Sequence, residues 1–168
     1  APAPHRHTAY GPVPAPFFVF SPAHAHSSTT PLSLCIHVAW WRSRGPLMFS
    51  QLAAGPTARG VSVAMAGYEL CPLVPISNII EQMRAAVLFL WRKHKKRILV
   101  YGHSAGGHLA ACMTAQDWKA LATDAPADLV PAAYSISGVF GLLPPTHVSR
   151  DINLKLDEAE AHRVSAVH

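Results

Sequence analysis

The sequence predicts an α/β fold: a mostly parallel sheet with helices on both faces. Two observations carry this. From Leu32 onward, short apolar runs of buried-strand length alternate with segments of helical spacing, and one such run leads into a helix through a glycine-flanked serine. The chain has 168 residues, half of them hydrophobic and 14% charged, which is enough for one packed domain and too apolar for a disordered tail.

Residues 1–31 hold seven of the 15 prolines, together with Ser27-Ser28-Thr29-Thr30 and a His24-Ala25-His26 pair. That composition resists regular structure, so an irregular Pro-rich leader is expected, with one short strand at Phe17 to Phe20. The histidine pair offers two metal ligands with no nearby Cys, Asp or Glu, an incomplete set, so no metal site is assigned and no cofactor is implied. The domain proper is expected over 32–168. Its strands are read at Leu32 to His37, Val61 to Met65, Ile98 to Tyr101 and Ala132 to Ser137. Between the second and third of these, Ile79, Ile80, Met83, Ala86, Val87, Leu90 and Trp91 recur at helical spacing. Asn78 is expected to cap this helix, with Glu81 completing a capping-box-like spacing. A further helix is read from Ala105 to about Gln116, and a helix-like segment from Leu156 to Arg163.

A net charge of +5 raises nucleic acid or an anionic membrane as partners. The one basic cluster, Arg92-Lys93-His94-Lys95-Lys96-Arg97, follows the apolar-periodic helix, where cations complement the negative end of the helix dipole. A solvated helix end is therefore the reading, and neither nucleic acid nor membrane is expected as a partner. Cys35, Cys71 and Cys112 are odd in number and form no C-x-x-C pair, which fits a reducing compartment. No apolar run approaches the ~20 residues of a membrane span, and no basic region followed by a signal-length apolar stretch opens the chain. A soluble, cytoplasmic protein is expected.

Gly102-His103-Ser104-Ala105-Gly106 is a G-x-S-x-G pentapeptide between the apolar run 98–101 and the helical pattern Gly107 to Met113. This context makes the motif meaningful. A serine on a sharp strand-to-helix turn projects its hydroxyl above the sheet, and flanking glycines such as Gly102, Gly106 and Gly107 let neighbouring backbone pass. The helix behind it supplies N–H donors, beginning with Ala105, for a developing oxyanion. Ser104 is thus the candidate nucleophile.

The stretches Tyr68-Glu69-Leu70-Cys71-Pro72, Val100 to Ala111, and Ser135-Ile136-Ser137-Gly138-Val139-Phe140 together resemble successive landmarks of the arylformamidase (kynurenine formamidase) family of α/β-hydrolases. The resemblance spans roughly Leu32 to His168. It implies an α/β-hydrolase fold and hydrolysis of N-formylkynurenine to kynurenine and formate in tryptophan breakdown, with a small formamide or ester as substrate. It also implies that His37-Val38-Ala39-Trp40-Trp41 matches the family's His-Gly-Gly-Tyr-Trp segment, which donates to the oxyanion hole. Val38 and Ala39 then stand where the family has glycines, and a β-branched residue there narrows the approach of a carbonyl. His37, Trp40 and Trp41 become candidates for the substrate pocket, with ordinary packing as the competing role for each.

In this fold the acid and the histidine of the triad follow the serine in the chain. Only 64 residues follow Ser104, and the family's late strands are expected to be missing from them. Asp124, Asp128, Asp151, Asp157, His147, His162 and His168 fall in stretches that match non-catalytic parts of the family, so they read as surface residues. Gly141 replaces an aspartate common in relatives, without a clear consequence. The sequence therefore supports a serine hydrolase of arylformamidase type with little activity as this chain. The alternatives are a carboxylesterase or a non-catalytic hydrolase fragment.

Overall fold

The computed structural model describes residues 6–9, 17–23, 29–37, 51–142 and 158–165. In chain order the elements are β1 (Arg6–Ala9), β2 (Phe17–Ser21), β3 (Leu32–Ile36), α1 (Ala54–Ala58), β4 (Ser62–Ala66), α2 (Ile76–His94), β5 (Ile98–His103), α3 (Ala105–Thr114), α4 (Trp118–Leu121), β6 (Ala133–Ile136) and α5 (Glu158–Val164). The strands form one six-stranded sheet in the order β1-β2-β4-β3-β5-β6. β3 runs parallel to β4 and β5, and β5 parallel to β6, while β2 is antiparallel to β1 and β4.

Every residue of β3 is buried, as a central strand covered on both faces requires. The alternation of side chains then sorts the core. Leu32, Leu34, Ile36, Ala64, Ile98 and Val100 face α2, α3 and α5, packing with Ile79, Met83, Leu109 and Val164. Cys35, Val63, Met65 and Val19 face the other way, where Ala53 at the start of α1 covers them. Helices thus lie on both faces of the mostly parallel sheet.

The short strand expected at Phe17 to Phe20 is β2, and the described residues before Leu32 are more regular than an irregular leader implies. They contribute β1 and β2 to the sheet, because Phe18 and Val19 alternate onto its two faces and β2 hydrogen-bonds the edge of β4. Residues His24 to His26 lie outside the described residues. The capping of α2 by Asn78 is also corrected. The helix begins at Ile76 behind Pro75, whose extended ψ of 164° serves as the N-cap conformation without any side-chain cap. One first-turn amide of the helix is met from a distance: the Ser77 amide donates to Glu160 Oε1 of α5 at 3.1 Å.

The basic cluster closes α2 as expected of a helix end. Lys95 takes the left-handed conformation (φ 52°) and donates its amide to the Trp91 carbonyl at 2.7 Å. Arg92 pairs with Asp124, Arg97 pairs with Asp128, and Lys96 Nζ donates to the Thr30 carbonyl at 2.7 Å. His94 stacks on Phe20. Among the described residues no helix is long and apolar enough to cross a membrane.

Candidate active site

The site lies where the chain reverses its direction across the sheet. β3 is flanked by β4 on one side and β5 on the other, so the connections leaving β3 and β5 diverge above their C-terminal ends. Such a switch point leaves a crevice in open α/β sheets. Ser104 stands at the end of β5, directly before α3, with φ 55° and ψ −117°. A non-glycine residue there is strained by roughly 1–3 kcal/mol, and surrounding structure must hold it. The hold is visible on both sides. The Ser104 amide donates to the Ile136 carbonyl of β6 at 2.8 Å, and its own carbonyl accepts from the His108 amide at 3.0 Å. Ser104 is half-buried and His103 exposed, so the hydroxyl is not sealed beneath the sheet.

Backbone contact explains the glycines around it. A Cβ on Gly106 would lie 2.3 Å from the Ile36 carbonyl oxygen and 2.9 Å from that of His37. One on Gly102 would meet the Gly106 carbonyl group at 2.4 Å. The end of β3, the end of β5 and the first turn of α3 therefore touch through main chain alone. Gly107 plays a lesser part: a Cβ there would sit 2.6 Å from Ser135 Oγ, a buried hydroxyl with no hydrogen-bond partner among the described residues. Ala105 opens α3, and as a first-turn residue its amide has no intrahelical acceptor. It is a donor available to an oxyanion at Ser104.

His37 directly follows β3 and is 2% exposed. Its ring stacks on Tyr68, with centroids 4.4 Å apart and planes within 7°, and the Tyr68 hydroxyl donates to the His37 carbonyl at 3.0 Å. Of the two roles expected for the His37 side chain, pocket lining and packing, the Tyr68 stack is a packing contact. Burial, reinforced by Cys71 and Cys35, pushes the Tyr68 phenol far above its usual range and keeps it a donor. Val38, Ala39, Trp40 and Trp41 lie outside the described residues, so their expected contributions have no geometry to report.

His108, one turn into α3, is fully buried, and its Nε2 lies 2.6 Å from the Val164 carbonyl of α5. Because a carbonyl only accepts, the neutral ring carries its proton on Nε2. Burial lowers the His108 pKa, with the Val164 bond opposing this. Among the described residues no hydrogen bond reaches the Ser104 hydroxyl, and no His/Cys/Asp/Glu group of metal-binding size is present. Asp124 and Asp128 are surface partners of Arg92 and Arg97, and His162 is exposed on α5. Asp151, Asp157, His147 and His168 lie outside the described residues. An apolar groove of about 380 Å³ beside Leu99, Pro56 and Tyr134 sits near the opposite ends of β5 and β6, and no elbow residue lines it.

The α/β-hydrolase fold family model matches residues 47–163, most of the chain and the whole of the elbow. The chain belongs to the α/β-hydrolase fold family. The chain is 28% identical over 141 residues to the kynurenine formamidase of Salmo salar, and 27% identical to that of Danio rerio. In each case the match covers 83% of this chain and 47% of the relative, so the chain spans about half the length of the formamidases it matches. Among solved structures, a protein from Silicibacter sp. TM1040 superposes with a TM-score of 0.80 at 29% identity, over 96% of this chain and 60% of that one. Apo esterase 2 of Thermogutta terrifontis gives 0.76 at 19%, over 100% and 68%, a likeness of fold. The family resemblance read from the motifs is thus found again in whole-chain comparison.

Tyr68, Glu160 and the His108 to Val164 link escaped the sequence reading. Tyr68 stood inside a motif that resembled the family, yet its partner is 31 positions away and only the parallel pairing of β3 with β4 brings the two together.

Proposed function

We propose that this hydrolase acts through Ser104 on a small formamide, N-formylkynurenine being the substrate class that the two formamidase relatives suggest. The observation that carries the reading is the Ser104 backbone: a half-buried non-glycine residue held at φ 55° on a strand-to-helix turn, directly before the N-terminus of α3. Strain of this kind is retained where it aims a reacting group. In the proposed reaction Ser104 Oγ attacks the formyl carbon, and the resulting oxyanion takes the Ala105 amide, with the second donor of the 38–39 segment impaired by Val38 and Ala39. The C–N bond then breaks, the serine proton passes to the leaving amine, and water releases formate from formyl-Ser104. We read the ligand as a small molecule and assign no role to nucleic acid, a membrane or a cofactor.

A serine hydroxyl needs a neighbouring base, and none of the described residues supplies one. As this chain, turnover is expected ~10⁶-fold below that of an intact triad, from binding and the oxyanion donors alone. The second reading is a non-catalytic member of the family. Formate and phenol release from N-formylkynurenine and from an aryl ester, each beside a Ser104→Ala control, separates the readings. Ser104-dependent turnover that favours the formamide supports the proposal, and a preference for the ester favours a carboxylesterase. No Ser104-dependent release of either product leaves the non-catalytic reading.

A further inference from the structure

We propose that Tyr68 is a positioning residue for the Ser104 site: by gripping His37 through both its ring and its carbonyl, it sets the spacing between the end of β3 and the nucleophile elbow. The inference rests on the reading of Ser104 as nucleophile. The His37 carbonyl is the shared part. It accepts from the Tyr68 hydroxyl at 3.0 Å, and it also lies where a Cβ on Gly106 would come within 2.9 Å of it. The same oxygen is therefore pinned by β4's exit on one side and pressed on the first turn of α3 on the other. The parallel stack of the two rings at 4.4 Å removes the remaining rotation of His37. Tyr68 is 5% exposed and His37 2% exposed, so water does not replace the phenol when it is removed. A buried carbonyl that loses its donor relaxes toward another one. Loss of the Tyr68 bond frees the end of β3 to shift against Gly106, and with it the first turn of α3 beside Ser104.

The test uses the full chain and p-nitrophenyl acetate. Ser104 Oγ bonds to the acetyl carbon, the C–O bond to the aryl group breaks, p-nitrophenolate leaves, and the serine proton goes to solvent. Acetyl-Ser104 is followed by intact-protein mass spectrometry over a range of ester concentrations, giving a limiting rate and a half-saturation. Four proteins are compared: unaltered chain, Tyr68→Phe, Tyr68→4-aminophenylalanine, which retains a donor, and Ser104→Ala. Assays run at about 10 °C, where loss of one buried hydrogen bond leaves the fold populated. Tyr68→Phe is expected to lower the limiting rate about tenfold, less than outright loss of an oxyanion donor, with half-saturation unchanged. The 4-aminophenylalanine variant is expected to restore it, which a role in stability alone would not require. An unchanged limiting rate in Tyr68→Phe, or no restoration by the donor-bearing variant, overturns the proposal while leaving Ser104 as nucleophile. Absence of acetyl-Ser104 in the unaltered chain overturns the nucleophile reading and this proposal with it.

Discussion

His108 and Val164 are joined across 56 positions by a hydrogen bond of 2.6 Å from Nε2 to the carbonyl oxygen, tying the helix behind Ser104 to α5. Glu160 adds a second tie by accepting from the Ser77 amide, and Ser165 Oγ a third by accepting from the Leu142 amide at 3.0 Å. α5 thus fastens the N-terminus of α2, the first turns of α3 and the segment after β6 to one another.

The buried imidazole makes stability depend on pH. Burial lowers the folded pKa of His108 below its ordinary value near 6.5, so between these two values the unfolded chain binds more protons than the folded one. The His108 contribution is complete above about 6.5, falls as pH drops through that window, and stops changing below the folded pKa. Urea denaturation midpoints at pH 8 and pH 5 should fall with acidity in the unaltered chain, and less so in His108→Gln.

Gly106→Ala is expected to cost more than ~3 kcal/mol or to abolish folding, because its Cβ would press on the Ile36 carbonyl oxygen, which belongs to a central strand and cannot withdraw. Gly60→Ala supplies the contrast. Gly60 has φ 80° but open space around it, so only the backbone preference of about 1 kcal/mol is lost. Equal destabilisation of the two variants would remove the packing account of the elbow.

Relief of strain at the elbow should be measurable. Ser104→Gly is expected to raise stability by ~1 kcal/mol, since glycine adopts φ 55° without the steric cost that serine bears there. A lower unfolding free energy in Ser104→Gly would indicate that the serine side chain makes a stabilising contact instead.

The expectation for Val38 and Ala39 carries over from the sequence. Val38→Gly together with Ala39→Gly should raise the rate of Ser104 acylation, because a restored oxyanion donor is worth ~10²–10³ in rate. No gain in the double variant would detach that segment from the site.

The parallel core was legible because β3 and β4 are apolar runs buried on both faces and β5 is an apolar run buried on one, and the elbow because glycines flank a serine between a strand and a helix. What the sequence concealed is non-local. Proline-rich composition hid β1 and the pairing of β2, which depends on β4 offering an edge. The start of α2 was displaced because its donor is capped by Glu160, 83 positions away, and not by its own first turn. The stacking of His37 on Tyr68 was hidden because nothing near His37 in the sequence announces Tyr68.

The central claim, that Ser104 is the nucleophile, is tested most directly by exposing the chain and its Ser104→Ala variant to an activated aryl phosphonate and mapping the adduct by peptide mass spectrometry. The account expects one phosphonyl adduct, on the peptide bearing Ser104, and none in Ser104→Ala. Equal labelling of both proteins, or an adduct confined to another residue, would contradict it.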